Sequence, residues 1–129
     1  MASMMDHIGT LLQANGFGTK GVDLFGGTMP AKPDNVISIY EHPGFEPERA
    51  MGRRVVDVMN LQILVRNVTS AAGQTEAYGV YDLLDMFVGV IEGVQYYSIM
   101  ARQTPFSLGS DENNRVKWSC NYVVNKEPS

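Results

Sequence analysis

The stretch VVDVMNLQILVRN, residues 55–67, constrains the fold more than any other. Leu61, Ile63 and Val65 fall on one side of an extended chain, and Asn60, Gln62 and Arg66 on the other. Successive side chains of a strand point to opposite faces, so such a run fits a sheet with one dry face and one wetter face. The rest of the chain must then supply strands to pair with it and an apolar layer to cover it.

Further strand patterns are present. Between about 115 and 125, Val116, Trp118, Cys120, Tyr122 and Val124 alternate with Lys117, Ser119, Asn121 and Asn125. Asn35–Glu41 is rich in β-branched and aromatic residues, residues 94–103 form another strand pattern, and Val22–Phe25 is a short apolar segment. Two helices are expected to provide the cover. The first spans 3–15, with Ser3 as N-cap, Asp6 three residues on, and Met4, Ile8, Leu11 and Leu12 in one stripe. The main helix spans 70–92, where Ala77, Val80, Tyr81, Leu84, Phe87, Val88 and Ile91 recur at three- and four-residue steps and Gly93 marks the end. Residues 42–53, HPGFEPERAMGR, read as a long polar loop, and residues 126–129 as a frayed tail. The expectation is a single domain over 1–129 of α+β class. Its mixed, mainly antiparallel sheet has about four to five strands, with the N-terminal helix and the main helix packed on one face.

Several kinds of chemistry lack their residues. GFGTKG, Gly16–Gly21, spells a dinucleotide-binding fingerprint, but it follows a helix and precedes a strand, the reverse of what phosphate binding needs. Its glycines read as a helix stop at Asn15-Gly16 and a turn. His7 and His42 have no further ligands at metal spacing. Cys120 reads as a small core residue and, being the sole cysteine, suggests a reducing compartment. Asp82 and Asp85 read as a solvated helix edge, and Asp111–Asn114 as turn chemistry without calcium-loop spacing. No serine stands in a nucleophile elbow. The expectation is therefore no enzyme activity, cofactor or metal. A net charge of −4 without a basic stripe argues against specific nucleic-acid binding. No run is long and apolar enough for a membrane helix, and the N-terminus lacks the pattern of a signal peptide. What remains is surface: charges of both signs on separate loops suit a head-to-tail contact between protein copies.

The order of segments carries a resemblance. A short helix leads into Val22-Asp23-Leu24-Phe25, then Met29-Pro30 and Pro33-Asp34-Asn35, then VISIYE running into Pro43-Gly44. The long strand VVDVMNLQILVRN precedes AYGVYDLLDMF, and SLGSDENNRVKWSCNYVV closes the chain. From about residue 5 to 125 this succession resembles the tail-terminator family of long-tailed bacteriophages, often labelled minor capsid or minor tail proteins. The resemblance implies a virion protein assembled in the host cytoplasm as a homohexameric ring. That ring caps the tail tube, ends its polymerisation, and joins the tail tube protein to the head–tail connector at the head-proximal end. Other phage neck, completion or tube-related proteins share this size and character, and a small ligand-binding module or enzyme is the more distant alternative. On this reading Glu46, Glu48, Arg49, Arg53 and Arg54 contribute subunit or tube contacts, and Asp111, Glu112 and Arg115 form the opposite charge partner.

Overall fold

The computed structural model describes residues 3–44 and 46–128. Helix α1 (Met4–Ala14) is followed by β1 (Leu24–Gly26), β2 (Val36–His42), β3 (Glu48–Ala50) and β4 (Arg53–Asn67). Helix α2 (Ser70–Leu84) precedes β5 (Phe87–Ile91), β6 (Val94–Ala101), β7 (Phe106–Ser110) and β8 (Val116–Lys126). The sheet runs β1-β2-β4-β8-β6-β5, with β3 added to β4 and β7 added to β8. Only β1–β2 is parallel among the named pairs. The fold is thus α+β with a mixed, mainly antiparallel sheet, but among the described residues eight strands build it rather than the expected four to five.

The alternation in β4 does what its period demands. Val65 stands across from Ile37 and Trp118, Ile63 from Ile39 and Cys120, and Leu61 from Tyr122. Leu61, Ile63, Val65, Ile37, Ile39, Cys120 and Tyr122 belong to one buried cluster, which also takes Met4, Ile8 and Leu12 from α1 and Ala77, Val80 and Leu84 from α2. Both helices therefore pack on one face. Helix α2 lies on β4, β8 and β6, whereas α1 reaches β1 and β2 and also β5, from the far end of the strand order. A sheet whose two ends meet one helix must curl around it.

Local signals set α1. Ser3 accepts from the Asp6 N–H (3.3 Å) and Asp6 accepts from the Ser3 N–H (3.4 Å), a reciprocal capping box. At the other end Gly16 takes φ +83°, and the Gly16 and Phe17 amides donate to the Gln13 and Leu12 carbonyls. The GFGTKG glycines thus stop a helix ahead of β1. Helix α1 docks partly through His7, whose buried Nδ1 lies 2.8 Å from the Tyr96 hydroxyl on β6 and whose Nε2 lies 3.8 Å from Glu92. Burial pulls the imidazole pKa below its usual 6.5, outweighing the opposite pull of Glu92.

Three expectations are corrected. The main helix ends at Leu84, not near residue 92: the Asp85 N–H donates to the Tyr81 carbonyl, Met86 turns to φ +66°, and Phe87–Ile91 is strand β5. Phe87, Gly89 and Ile91 face inward in that strand while Val88 and Val90 face out, and the Glu92-Gly93 turn, both at positive φ, leads into β6. The supposed long loop 42–53 contains β3 and one end of β4. Strand β8 extends through Lys126, which is buried, and the Glu127 amide donates to the Gln95 carbonyl. Of the tail expected to fray, Lys126 to Pro128 are thus described and Ser129 lies outside the described residues.

Candidate assembly surface

The structure places Glu46, Glu48, Arg49, Arg53 and Arg54 together on a projecting ribbon. Strand β4 pairs with β2 from Asn60 and with β8 from Asp57, so Arg53–Val56 run beyond both neighbours and pair only with β3. Four residues at about 3.3 Å each carry this arm roughly 13 Å past the body. Its tip is a two-residue turn, Met51 at φ +52° and Gly52 at φ +81°, whose twist matches hairpin strands. All five charged residues are exposed.

Ion pairs brace the ribbon. Arg49 stands directly across from Arg54, an unfavourable register for two cations. Each turns to an acid instead: Arg49 Nη1 donates to Glu46 at 2.9 Å, and Arg54 Nε lies 3.3 Å from Asp57. The exposed Arg49–Glu46 pair contributes about 0–1 kcal/mol, whereas Asp57 is largely buried and also lies 3.9 Å from Lys126 on β8. Arg53 has no ion-pair partner among the described residues. The root of the arm is tighter. Asn60 Nδ2 donates to the Pro43 carbonyl (2.7 Å), His42 Nε2 sits 2.9 Å from Gln62 Oε1, and a Cβ on Gly44 would collide with the Val58 carbonyl. Between root and ribbon an open cleft of about 490 Å³ is lined by His42, Pro43, Pro47, Arg54 and Asp57, among others.

The second predicted set is divided. Glu112 is exposed at the β7–β8 turn. Asp111 and Arg115 face each other inside the same chain: Arg115 Nε and the Arg115 N–H both donate to the Asp111 carboxylate at 2.9 Å. Those contacts, the backbone one foremost, hold the carboxyl below the usual range. Arg115 is itself buried, with Nη1 donating to the Ala31 carbonyl and lying 3.4 Å from Asp34. Within the protomer it is therefore both buried and paired.

Arg66 completes that arrangement, and sequence reasoning missed its role. It does point to the outer face of β4, yet it is buried under the loop 30–34. It donates to the carbonyls of Pro30 (2.7 Å), Pro33 (2.7 Å) and Asp34 (3.0 Å). Burial, together with nearby Arg115, lowers its pKa from the ordinary arginine value. Two buried arginines, one on β4 and one in the turn just ahead of β8, thus fasten one loop to the wet face of the sheet. Cys120 is a core residue, its thiol pKa raised by burial and its Sγ 3.2 Å from the Gln103 carbonyl oxygen. Asp82 is exposed on α2, as expected, whereas Asp85 caps β6 by accepting from the Ala101 amide at 2.8 Å. Among the described residues no group of three or more His, Cys, Asp or Glu could hold a metal ion, and no helix is long and apolar enough to cross a membrane.

A small α+β body with a charged ribbon at one end and charged turns offers surface suited to contacts with other protein chains. The chain belongs to the bacteriophage tail terminator protein family, whose sequence profile matches residues 11–128. Its fold is also that of a chain from the virion of a native gene transfer agent particle. The two share 12% identity at a TM-score of 0.72, over 98% of this chain and 96% of that one. No curated protein sequence matches it. As a member of that family it is a phage tail structural protein and a virion component.

Proposed function

We propose that this chain forms a homohexameric ring that caps the finished tail tube, ends its polymerisation, and offers the surface on which the head–tail connector docks. Family membership across residues 11–128 is the observation that carries this reading. The partners are other copies of the chain, the tail tube protein below and the connector above, at the head-proximal end of a tail assembled in the host cytoplasm.

The mechanism is steric and interfacial. One face of the ring matches the last tube ring, and the other lacks the surface that recruits a further tube subunit. Glu46, Glu48, Arg49, Arg53 and Arg54 reach out from the protomer on the arm and make subunit or tube contacts. Glu112 meets an opposite charge from the β7–β8 turn, while Asp111 and Arg115 act by holding that turn in shape. Rim charges of this strength fix register and approach more than affinity. The test is a double charge reversal, Arg53→Glu with Arg54→Glu, followed by electron microscopy of tails. Overlong or headless tails are the expected result; tails of normal length joined to heads refute the assignment of the arm.

A further inference from the structure

Charge is distributed unevenly along this chain. From Asn67 to Ala101 there are four acids (Glu76, Asp82, Asp85 and Glu92) and neither lysine nor arginine, so this stretch holds −4, equal to the net charge of all 129 residues. From Glu46 to Arg54, three arginines against two glutamates leave the arm at +1. The acidic stretch folds as α2, β5 and β6, and the basic one as the arm. Arm on arm juxtaposes cations and edge on edge juxtaposes anions, whereas arm on edge brings opposite charges together.

The acidic unit also carries an apolar edge. Strand β5 ends the sheet: β6 pairs along one side and no strand among the described residues pairs along the other, although helix α1 packs against its inner side. Its sequence, FVGVI, has neither charge nor proline, two devices that ordinarily keep a sheet edge from recruiting another chain. Val88 (65% exposed) and Val90 point away from the core, and exposed Met86, Tyr97 and Met100 extend the patch along β5 and β6. Fully burying an aliphatic side chain removes roughly 60–120 Å² at about 25 cal/mol per Å². Five partly exposed ones therefore offer roughly 200–400 Å². A stable interface takes about 800 Å² from each partner, so the patch needs a ribbon and ion pairs around it.

The arm supplies both, and its tip has an odd residue. A left-handed backbone costs a side chain with a Cβ about 1–2 kcal/mol, and asparagine or aspartate fits this turn position better. Met51 occupies it instead, fully exposed to water at 102%. Nothing among the described residues rewards a long apolar side chain there; an apolar surface on a neighbour does.

We propose that the arm of one copy docks on the outward face of β5 and β6 of a second copy, with Met51 seated among Val88, Val90 and Tyr97, and Arg53 facing Asp82. An arm of roughly 13 Å spans most of a five-residue strand. Donor and receptor surfaces differ, so the contact is head-to-tail and closes into a ring when the rotation allows. The inference rests on the ring reading above and names the contact that builds the ring.

The test is a cysteine pair, Met51→Cys with Val90→Cys, both at exposed sites that leave the core intact. Purified tails and concentrated free protein are oxidised and run without reductant, while electron microscopy locates the protein on tails. The double variant is expected to yield a ladder of covalent oligomers that neither single variant yields. Rings at tail ends without a ladder, or dimers from Met51→Cys alone, overturn the contact and leave the ring reading standing. A ladder in a protein absent from tail ends upholds the contact and overturns the ring reading. As an independent readout, Arg53→Glu is expected to weaken self-association a few-fold, and adding Asp82→Lys to recover most of that loss. Loss without recovery counts against the pairing.

Discussion

Replacing Arg66 by methionine isolates the clamp on the wet face of the sheet. Methionine keeps an apolar stem of similar reach and deletes the guanidinium, with its three bonds to the carbonyls of Pro30, Pro33 and Asp34. Hydrogen bonds from a charged donor contribute about 1.5–3 kcal/mol each, so three define an upper limit of roughly 4.5–9 kcal/mol. Two effects reduce that figure. Pro33 is exposed and Pro30 and Asp34 are only half-buried, so water can reach the abandoned carbonyls. The guanidinium also sits where burial and Arg115 disfavour its charge, and removing it relieves that penalty. The net expectation is a loss of about 2–4 kcal/mol. For a chain of this size that lowers the melting temperature by about 10 °C. Thermal melting followed by circular dichroism, with a urea series for the free energy, measures it. Arg66→Lys should fall between, because an ammonium cannot span three carbonyls in the guanidinium plane. A methionine variant melting within about 2 °C of the parent would refute the clamp, since surface substitutions commonly fall in that range.

Three other outcomes follow from single residues. Gly44→Ala forces a Cβ against the Val58 carbonyl, part of the β4–β8 ladder; the melting temperature should fall and tail capping should fail, and a variant that melts and caps like the parent contradicts the tight arm root. His7 titrates below its unfolded value, so the unfolded chain binds the proton first and stability falls as pH drops below about 6.5. Melting curves at about pH 7.5 and pH 5 should show this loss, and His7→Asn should shrink it; an unchanged pH dependence refutes it. Met51→Asn relaxes the turn and should raise arm stability by up to about 1 kcal/mol while weakening self-association, read by thermal melting and sedimentation respectively. A variant that associates as well as the parent counts against an anchoring methionine.

The parts of the fold legible in the sequence are those where one period is unambiguous. Strands β4 and β8 alternate over long runs with one face buried, and α1 carries its capping box and its Asn15-Gly16 stop in plain view. Strand β5 was not legible, because Phe87, Val88 and Ile91 fit a helical stripe as well as they fit an alternating strand. The deciding events, the left-handed Met86 and the Glu92-Gly93 turn, are backbone conformations without a strong side-chain signature. Strands β3 and β7 are short and wholly exposed, so no burial pattern marks them. The arm was visible as a charged polar stretch, and the glycine after Met51 was a usable hairpin signal, hidden because methionine stood where asparagine is usual. Arg66 and Arg115 read as surface cations because nothing near them in sequence announces the loop that covers them. Arg115 bonds the Ala31 carbonyl across 84 positions.

Electron microscopy of purified tails, with this chain tagged or resolved at side-chain level, tests the account most directly. A single ring at the head-proximal end of every finished tube, with each arm laid on the outward face of the next subunit's β5 and β6, is the predicted image. Copies distributed along the tube, or tubes that stop at their normal length without this chain, would contradict it.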